Sequence, residues 1–552
     1  MSVFEEISRC YYEEEVRMML WSEEVDFVSV GGGIGGLTAA LVAHEAGLNV
    51  VVLEKSAKLG GVASLSLGQV WVPANSLEAE AGIRDSAEEG LAYMTWVGGG
   101  FAESAHTDAF VRWGSAIIDF LGKHAHVAWR IWRGQPDYYF PVGPGSVTEG
   151  RCLEVEPLAG VNLGKWAELT RIPPTARVTN EEQATGSSKT LLAERAEKDF
   201  RAKGGGLAAY LIRNAVERGI SLRPGCEVVE LVRVERRVVG VVVKEDGITK
   251  AIRAKRGVLL ATSGYDWSPQ MVRNFDARTE PASLTMPEIT GDHLRMAGML
   301  GARVVSPGVR PQWIDPRFRL GSSLERINTS APGVIMVNRK GARFSDESFG
   351  PSFTAALAHV DVDRPSLANQ PFWAIFDDGF RKARAVGSIN PGDPLPDEIV
   401  SADTPEELAE KLGIDPQGLV AELEQFNLHA SEGADPRFGR ATRPSTFYKS
   451  AASQGAATIG PLTKAPFYGV PLVTASIGIP VAGLAADTIG RVLDWENHVI
   501  EGLYVAGNSM AMHDTGIGYQ SGYANTRALV FAMLGACHAA GVDPSALGLS
   551  RI

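Results

Sequence analysis

Short apolar runs and one helical pattern follow each other near the start of the chain. Residues 25–30 form a valine-rich run typical of a buried parallel strand, and residues 37–47 carry a small-residue helical pattern that ends at a glycine. A second apolar run, 49–53, ends at Glu54. This order predicts a strand–helix–strand unit, preceded by a helical extension over residues 1–24.

The pattern changes further along the chain. The predicted features are a helical stretch over 80–128, loops over 129–190, a helix over 205–218, a β-meander over 228–243, buried strands over 256–261 and 499–506, and a long helix over 522–540. Residues 285–455 instead contain longer loops, more proline and an acidic helical patch near 404–412. We therefore predict an α/β (α+β) fold in which a Rossmann-like domain, 25–284 and 456–552, is interrupted by a smaller α+β domain, 285–455.

Composition narrows the class of protein. The 552 residues carry a net charge of −12, which disfavours nucleic acid and anionic membranes as partners. The four cysteines, at positions 10, 152, 226 and 537, lack CxxC spacing, so we expect a reduced, cytoplasmic chain without a disulfide framework, metal site or covalently attached haem. The acidic first residues predict no targeting peptide, and no apolar run is long enough to predict a membrane span.

A glycine fingerprint lies between the first strand and the first helix. Gly31 permits a tight turn, Gly33 permits close approach of a pyrophosphate, and Gly36 permits close packing of helix and strand. The free N–H groups and the dipole of the helix N-terminus favour phosphate there. Glu54, at the end of the second strand, can accept both hydroxyl groups of an adenosine ribose. The pattern predicts a bound dinucleotide.

Three further segments favour FAD over NAD. Residues 55–75, which include KSAKLGG and SLSLGQVWVPAN, resemble the segment that FAD-dependent enzymes place along the pyrophosphate, 261–264 (ATSG) resembles their second strand-end motif, and 502–508 (GLYVAGN) resembles their late flavin turn. We therefore predict a Rossmann-like FAD-binding domain of the glutathione-reductase type. Besides the fingerprint, its predicted cofactor-binding residues are Lys55, Gly60, Gly61, Ser64, Gly68, Val228, Ala261, Gly264, Gly507 and Asn508.

Longer motifs carry a family resemblance that covers most of the chain beyond residue 25. They are GGVASLSLGQVWVPAN (60–75), PDYYFPVGPGSVTEGR (136–151), TGDHLRMAGMLGA (290–302) and VNRKGARFSDES (337–348). With GLYVAGN, they resemble the flavoproteins of the fumarate reductase and 3-ketosteroid dehydrogenase superfamily, and especially the ketosteroid and cyclic-ketone dehydrogenase branch. The resemblance implies an FAD domain interrupted by a catalytic domain that caps the substrate.

The late loop, 508–522, resembles the ketosteroid dehydrogenase branch more than the fumarate reductase branch. It contains no arginine that could deliver a proton to a dicarboxylate, and Arg527 lies beyond it in the predicted helix, where a structural role is expected. Its turn Tyr519-Gln520-Ser521-Gly522 resembles the GYxSG turn of 3-ketosteroid Δ4-dehydrogenases. The resemblance implies that the Tyr519 hydroxyl and the Gly522 backbone N–H bind the substrate carbonyl. Ser521 is a further catalytic candidate, with a local hydrogen bond in the turn as the alternative.

One departure from the family leaves the proton acceptor open. The Δ1-dehydrogenases have a proton-abstracting tyrosine where this chain reads DESFGPSF (346–353), with Pro351 near the expected place and no tyrosine. We therefore name Tyr138 and Tyr139, from the aromatic family segment, as the candidate bases. Arg343 and Asp346 are expected to be structural, and Asp292 to cap a helix.

These observations predict an FAD-dependent dehydrogenase that acts on CH–CH groups and introduces an α,β double bond into a cyclic ketone. The substrate is either a cyclohexanone-like ring or a 3-oxosteroid. The predicted partners are that small-molecule ketone and an external electron acceptor, such as a quinone, a dye-like acceptor or oxygen. The alternatives are a flavin-dependent enone or fumarate-type reductase and a non-catalytic flavin-binding protein.

Overall fold

The computed structural model describes residues 21–173, 175–276, 278, 282–307, 313–440 and 459–552. These residues divide into two compact units. The first unit consists of the described residues within Met1–Phe275, Thr285–Arg310 and Gly478–Ile552. The second unit consists of the described residues within Asp276–Leu284 and Pro311–Ile477. Each unit has its own sheet and its own apolar core.

An eight-stranded sheet forms the centre of the first unit. Its strands lie in the order Arg491–Leu493, Val499–Val505, Arg237–Glu245, Ile248–Leu260, Glu23–Val30, Val50–Glu54 and Ser221–Pro224, and Glu227–Val234 pairs with Arg237–Glu245. The central strand, Glu23–Val30, is parallel to both of its neighbours. Its apolar residues are buried because helices cover the sheet, as expected for a parallel sheet.

The helices of the first unit are Ile34–Glu45, Ser76–Glu80, Ala87–Val97, Ser104–His124, Asn180–Thr185, Lys189–Glu197, Lys203–Glu217, Pro269–Phe275, Asp292–Gly298 and Tyr523–Ala540. Helix Ile34–Glu45 packs against Lys203–Glu217 and Tyr523–Ala540. Close packing is possible here because this helix is rich in glycine and alanine. Within the ranges given above, no helix has both the length and the apolar character needed to cross a membrane.

Smaller elements of the first unit carry part of the site. Strands Val70–Trp71, Trp129–Ile131 and Cys152–Val155 form a separate three-stranded sheet. Two further pairs join Leu158–Ala159 to Phe200–Arg201 and Val304–Val305 to Gly483–Leu484. Turns of 3₁₀ helix occur at Val62–Leu65, Gly160–Ala167, Gly507–Ser509 and Pro544–Leu547.

The second unit contains an antiparallel sheet. Its strands lie in the order Ser323–Glu325, Ile314–Leu320, Phe467–Ser476, Phe372–Asp377 and Val334–Asn338, and Val400–Ala402 pairs with Phe467–Ser476. A short hairpin joins Val360–Asp361 to Ser366–Leu367. The helices of this unit are Gly350–Leu357, Asp378–Ala383, Pro405–Leu412 and Pro416–Ala430.

Arg343 has the structural role expected for it, whereas Asp292 forms an ion pair and does not cap a helix. Arg343 is buried in the second unit and forms ion pairs with Glu347 and Asp435, so its expected structural role is confirmed. The expectation that Asp292 caps a helix is wrong. Gly291 is the N-cap, and the Asp292 carboxylate accepts a 2.7 Å hydrogen bond from Lys55 Nζ instead.

The predicted fold class is confirmed, and the observed boundaries differ in detail. Residues 285–307 lie in the first unit because Val304–Val305 pairs with Gly483–Leu484, and 459–477 lie in the second because Phe467–Ser476 pairs with Phe372–Asp377. The substrate-capping role predicted for 285–455 stays a prediction.

Two local predictions changed. Residues 1–20 of the predicted helical extension lie outside the described residues, and Glu23 and Glu24 belong to the first strand. Residues 129–190 are not loops throughout, since they contain strand Cys152–Val155 and helix Asn180–Thr185.

Candidate active site

The glycine fingerprint forms the turn that joins the first strand to the first helix. Gly31 has φ +110°, which favours glycine, and a Cβ on Gly36 would lie 1.9 Å from the Gly31 carbonyl oxygen. Helix Ile34–Glu45 starts at Gly33 without any side chain that caps it. Its first N–H groups therefore remain available, as phosphate binding at a helix N-terminus requires.

Glu54 lies beside this turn, at the end of the neighbouring strand. Its two carboxylate oxygens accept 2.8 Å hydrogen bonds from the backbone N–H groups of Gly32 and Ser56. Burial raises the pKa of Glu54. The N–H of Cys226 donates to the Glu54 carbonyl, which brings the chain just before Val228 to the same place. The side chain of Val228 itself is buried in the apolar core.

The segment 60–68 closes against the glycine turn. The Gly60 N–H donates a 2.8 Å hydrogen bond to the Gly32 carbonyl. A Cβ on Gly61, where φ is +56°, would lie 2.8 Å from Gly33 Cα. The buried Ser64 hydroxyl donates to the Gly61 carbonyl, and Gly68 lies against the start of helix Lys203–Glu217. The Gly33 backbone thus lies too close to Gly61 for a side chain at position 61.

The remaining predicted cofactor residues occur at nearby strand ends and turns. The Ala261 N–H donates to the Val30 carbonyl, so both strand ends meet at the glycine turn. The Gly264 carbonyl accepts from Gly291, and Lys55 pairs with Asp292. Asn508 donates through Nδ2 to the Gly478 carbonyl, and its buried Oδ1 has no hydrogen-bond partner among the described residues.

These features fit a dinucleotide. The cradle between Gly33 and Gly61 has no room for a Cβ on Gly61, the helix N-terminus lacks a capping side chain, and Glu54 lies at the ribose position of the fingerprint. The sequence did not single out Arg171, whose buried Nε has no hydrogen-bond partner among the described residues. Its positive charge lowers the pKa of the Glu54 carboxyl and so partly offsets the effect of burial.

Arg527 holds the late loop in place. Its guanidinium binds both carboxylate oxygens of Asp514 at 2.9–3.2 Å and donates to the carbonyl groups of Gly507, Met510 and Ala511. The side chain is 1% exposed. Its donors are therefore used inside the protein, which confirms the expected structural role.

The turn 519–522, here called the carbonyl turn, leads into helix Tyr523–Ala540. Gly522 is the N-cap with φ +98°, and a Cβ on it would lie 2.6 Å from the Trp71 backbone nitrogen. Thr526 in the first helical turn accepts from the Trp71 N–H at 2.9 Å and donates to the Trp71 carbonyl. No described residue accepts a hydrogen bond from the Gly522 N–H. A donor is thus held in a fixed place at the positive end of a helix dipole.

The segment 137–140, here called the aromatic loop, is bound to the carbonyl turn through Gln520. The Gln520 Oε1 accepts hydrogen bonds from the Tyr138 N–H at 2.7 Å and from the Tyr93 hydroxyl at 2.8 Å. The Tyr93 oxygen in turn accepts from the Tyr139 N–H at 3.3 Å. The structure therefore brings together Tyr138, Tyr139, Tyr519 and Gly522, which lie far apart in the sequence.

A buried cluster of charged residues, Asp85, Asp137 and Arg151, holds the start of the aromatic loop in place. Asp137 accepts from Trp71 Nε1 at 2.7 Å and from Arg151 at 2.9 Å, and Arg151 also forms a bidentate pair with Asp85. Burial raises the pKa of the Asp137 carboxyl, and the neighbouring carboxylates raise the pKa of Arg151 despite its burial. Removing one partner from such a cluster leaves a buried charge unpaired.

Three further residues with hydroxyl groups lie in or next to the carbonyl turn, and the catalytic role predicted for Ser521 stays a prediction. The Ser521 hydroxyl donates to Gln69 Oε1. Tyr523 is fully buried between Trp71 and Phe110, and burial raises the pKa of its hydroxyl well above the usual value. Tyr523 is therefore a core residue with a protonated hydroxyl. Tyr519 is partly exposed and contacts Tyr523 edge-on.

Comparison with known proteins agrees with this geometry. A model of the FAD binding domain family matches residues 26–522. The chain belongs to this family. It is 33% identical to 4-oxocyclohexanecarboxylate 2-dehydrogenase of Sinomonas cyclohexanicum, over 90% of this chain and 89% of that protein. It is 28% identical to 3-oxosteroid 1-dehydrogenase of Mycobacterium tuberculosis, over 89% and 93%.

A solved structure is similar over most of the chain. It is the 3-ketosteroid Δ1-dehydrogenase of Sterolibacterium denitrificans in complex with 1,4-androstadiene-3,17-dione, with a TM-score of 0.84, 27% identity, and coverage of 94% of this chain and 100% of that one. The predicted family, the FAD cofactor and the oxidoreductase class are thereby confirmed. The protein is therefore a flavoenzyme that uses FAD, and the assignment of the cofactor to the cradle described above stays a prediction.

The sequence did not single out several residues that organise the site. Trp71, Tyr93, Gln520 and Arg151 hold the carbonyl turn and the aromatic loop together. Trp71 lies in the motif 60–75 and Gln520 in the turn 519–522, so the sequence does mark the segments that contain them. Their hydrogen-bond partners, however, lie in distant parts of the sequence.

Proposed function

We propose that this flavoenzyme dehydrogenates the α,β-carbon pair of a cyclic ketone and that its preferred substrate is a small cyclohexanone-type ring. The observation that carries the proposal is the N–H of Gly522. It is buried, has no acceptor among the described residues, and lies in the same turn as Tyr519. Two such donors form an oxyanion site for a ketone oxygen.

The chemistry requires this kind of site. An α-proton of a ketone is only weakly acidic, so its removal is slow unless the negative charge that develops on oxygen is stabilised. Each well-placed donor contributes about 3 kcal/mol to that stabilisation. Tyr519 and Gly522 hold the carbonyl, and a tyrosine of the aromatic loop, Tyr138 or Tyr139, accepts the α-proton. FAD, when bound, supplies the acceptor for the hydride that leaves the β-carbon.

The small-ring preference rests on two observations. The relative that acts on 4-oxocyclohexanecarboxylate is 33% identical, whereas the 3-oxosteroid relative is 28% identical over a similar length. In addition, residues 346–353 contain no tyrosine where the Δ1-dehydrogenases that this chain resembles have their base, and Pro351 lies in the first turn of helix Gly350–Leu357. A different ring is expected to present its α-proton to a different residue.

Anaerobic mixing of the oxidised enzyme with ketones tests the proposal. We expect 4-oxocyclohexanecarboxylate and plain cyclohexanones to bleach the visible flavin band faster than a 3-oxosteroid does. Faster bleaching by the steroid would contradict the small-ring preference. If no ketone bleaches the flavin and an enone reoxidises the reduced enzyme, the protein is a reductase. If neither compound alters the flavin spectrum, the protein has no activity on cyclic ketones.

A further inference from the structure

Gln520 connects the two halves of the proposed catalytic site. It lies between Tyr519 and Ser521 and is 1% exposed. Its Oε1 must face the Tyr138 N–H, because that backbone group can only donate. The same oxygen accepts from the Tyr93 hydroxyl, whose oxygen accepts from the Tyr139 N–H. Both tyrosines of the aromatic loop are thus anchored, directly or through Tyr93, to one amide oxygen of the carbonyl turn.

The other end of the same amide has no partner. Gln520 Nε2 is buried and finds no acceptor among the described residues. An unsatisfied buried amide group is unfavourable for folding, and an apolar side chain of similar shape would avoid it. Stability alone therefore does not explain a glutamine at this position, whereas the two hydrogen bonds of its oxygen do.

We infer that Gln520 is a positioning residue: it sets the distance between the carbonyl-binding donors, Tyr519 and Gly522, and the proton-accepting tyrosine of the aromatic loop. The inference rests on the proposed function. Proton abstraction is sensitive to this distance, because a displacement of about 1 Å can reduce a rate by roughly 10²-fold. The Gly522 donor is held by Trp71 and Thr526, so binding of the carbonyl should depend less on Gln520 than proton abstraction does.

Gln520→Met tests the inference, with Gln135→Met as the matched control. Gln135 is a second buried glutamine next to the aromatic loop, and its Nε2 donates locally to the Pro136 carbonyl. In Gln520→Met, we expect kcat to fall roughly tenfold to hundredfold. The affinity for a phenol that mimics the enol, measured from the flavin spectrum, should change less than about threefold, since the carbonyl donors are retained. An α-deuterated ketone should show a larger isotope effect than with the wild type.

Gln520→Glu provides a conservative rescue with its own signature. Its side chain keeps an oxygen for Tyr93 and Tyr138, so activity should return at low pH, where the buried acid is neutral. Activity should then fall as pH rises through an ionisation absent from the wild type, because an anion there opposes enolate formation. A purely structural role would not produce this new pH dependence.

Amide exchange gives a readout that needs no turnover. In Gln520→Met, the peptide covering 136–147 should exchange at least about tenfold faster than in Gln135→Met, because the Tyr138 and Tyr139 anchors are lost. Unchanged kcat, an equal loss in the Gln135 variant, or a loss of phenol affinity in step with kcat would each overturn the inference. If amide exchange in 136–147 becomes faster in Gln520→Met but the wild type dehydrogenates no ketone, the proposed function is wrong, and Gln520 still anchors the aromatic loop.

Discussion

The Cα of Gly36 faces the carbonyl oxygen of Gly31 so closely that a Cβ on Gly36 would lie 1.9 Å from that oxygen. The first helix therefore starts directly against the end of the first strand. This contact directs the free N–H groups of the helix toward the cradle between Gly33 and Gly61. The contacts of Gly36 and Gly61 leave no room for a Cβ, so a side chain at either position is expected to disturb FAD binding.

Gly36→Ala is expected to prevent FAD binding and to destabilise the fold by ~2 kcal/mol or more, since its methyl group would collide with a backbone oxygen that cannot move freely. Flavin absorbance per protein after gel filtration measures the effect. Gly35→Ala is the matched control, because a Cβ there would make ordinary contacts at 3.5 and 3.6 Å. That variant should keep its FAD. Equal flavin loss in both variants would show that an added methyl group anywhere in this helical turn, rather than the Gly31 contact, is responsible.

Arg527→Leu is expected to lower the free energy of unfolding by about 3–5 kcal/mol, because Asp514 is left buried without its partner. Residues 507–514 also lose their carbonyl contacts, so weaker FAD binding should accompany the loss. Urea unfolding and flavin titration measure both effects. Arg253→Leu is the control, since the Arg253 and Glu24 side chains of that ion pair are 50% and 45% exposed. A loss of similar size in the control would contradict the assigned role of Arg527.

Tyr519→Phe is expected to reduce turnover of the cyclic ketone roughly tenfold or more, because one donor to the developing oxyanion is removed. The protein should stay yellow, since Tyr519 lies outside the FAD cradle. Steady-state kinetics with an artificial electron acceptor measures the change. Tyr210→Phe, on helix Lys203–Glu217 within the main core, should leave turnover unchanged. Wild-type turnover in Tyr519→Phe would exclude the tyrosine from carbonyl binding.

Glu78→Gln is expected to reduce a loss of stability that the wild type shows between pH 4.5 and 8. Burial, with the charge of Asp85 as the next cause, raises the pKa of Glu78 from 4.5 to about 8. The folded protein therefore keeps a proton that the unfolded chain releases above pH 4.5. A state that holds the extra proton loses stability as pH rises, here by up to ~1.4 kcal/mol per pH unit between pH 4.5 and 8.

Urea unfolding at pH 5 and pH 8 measures this effect. The wild type should lose stability between the two values, and Glu78→Gln should lose less. Glu80→Gln on the same helix is the control, because Glu80 is exposed. That variant should follow the wild type. A parallel pH dependence in wild type and Glu78→Gln would mean that Glu78 is ionised in the folded protein.

The sequence by itself determined the parts of this protein that depend on local backbone conformation. The order of strand, glycine turn, helix and acid predicts the dinucleotide cradle because each glycine satisfies a steric requirement within about 25 residues. The alternation of apolar and polar residues likewise predicts the β-meander over 228–243, which the structure shows as strands Glu227–Val234 and Arg237–Glu245. The long last helix is predicted in the same way, since period and length are local properties.

Only the tertiary structure decided how distant segments meet. The Tyr138 N–H and Gln520 Oε1 are 382 residues apart in sequence, and Trp71 and Asp137 are 66 apart. Hydrogen bonds between such groups produce no repeating pattern in the sequence, because each depends on where the fold places a single side chain. The same reason explains why residues 285–307 pack with the first unit and residues 459–477 with the second. Strand pairing across the chain, rather than local composition, sets those boundaries.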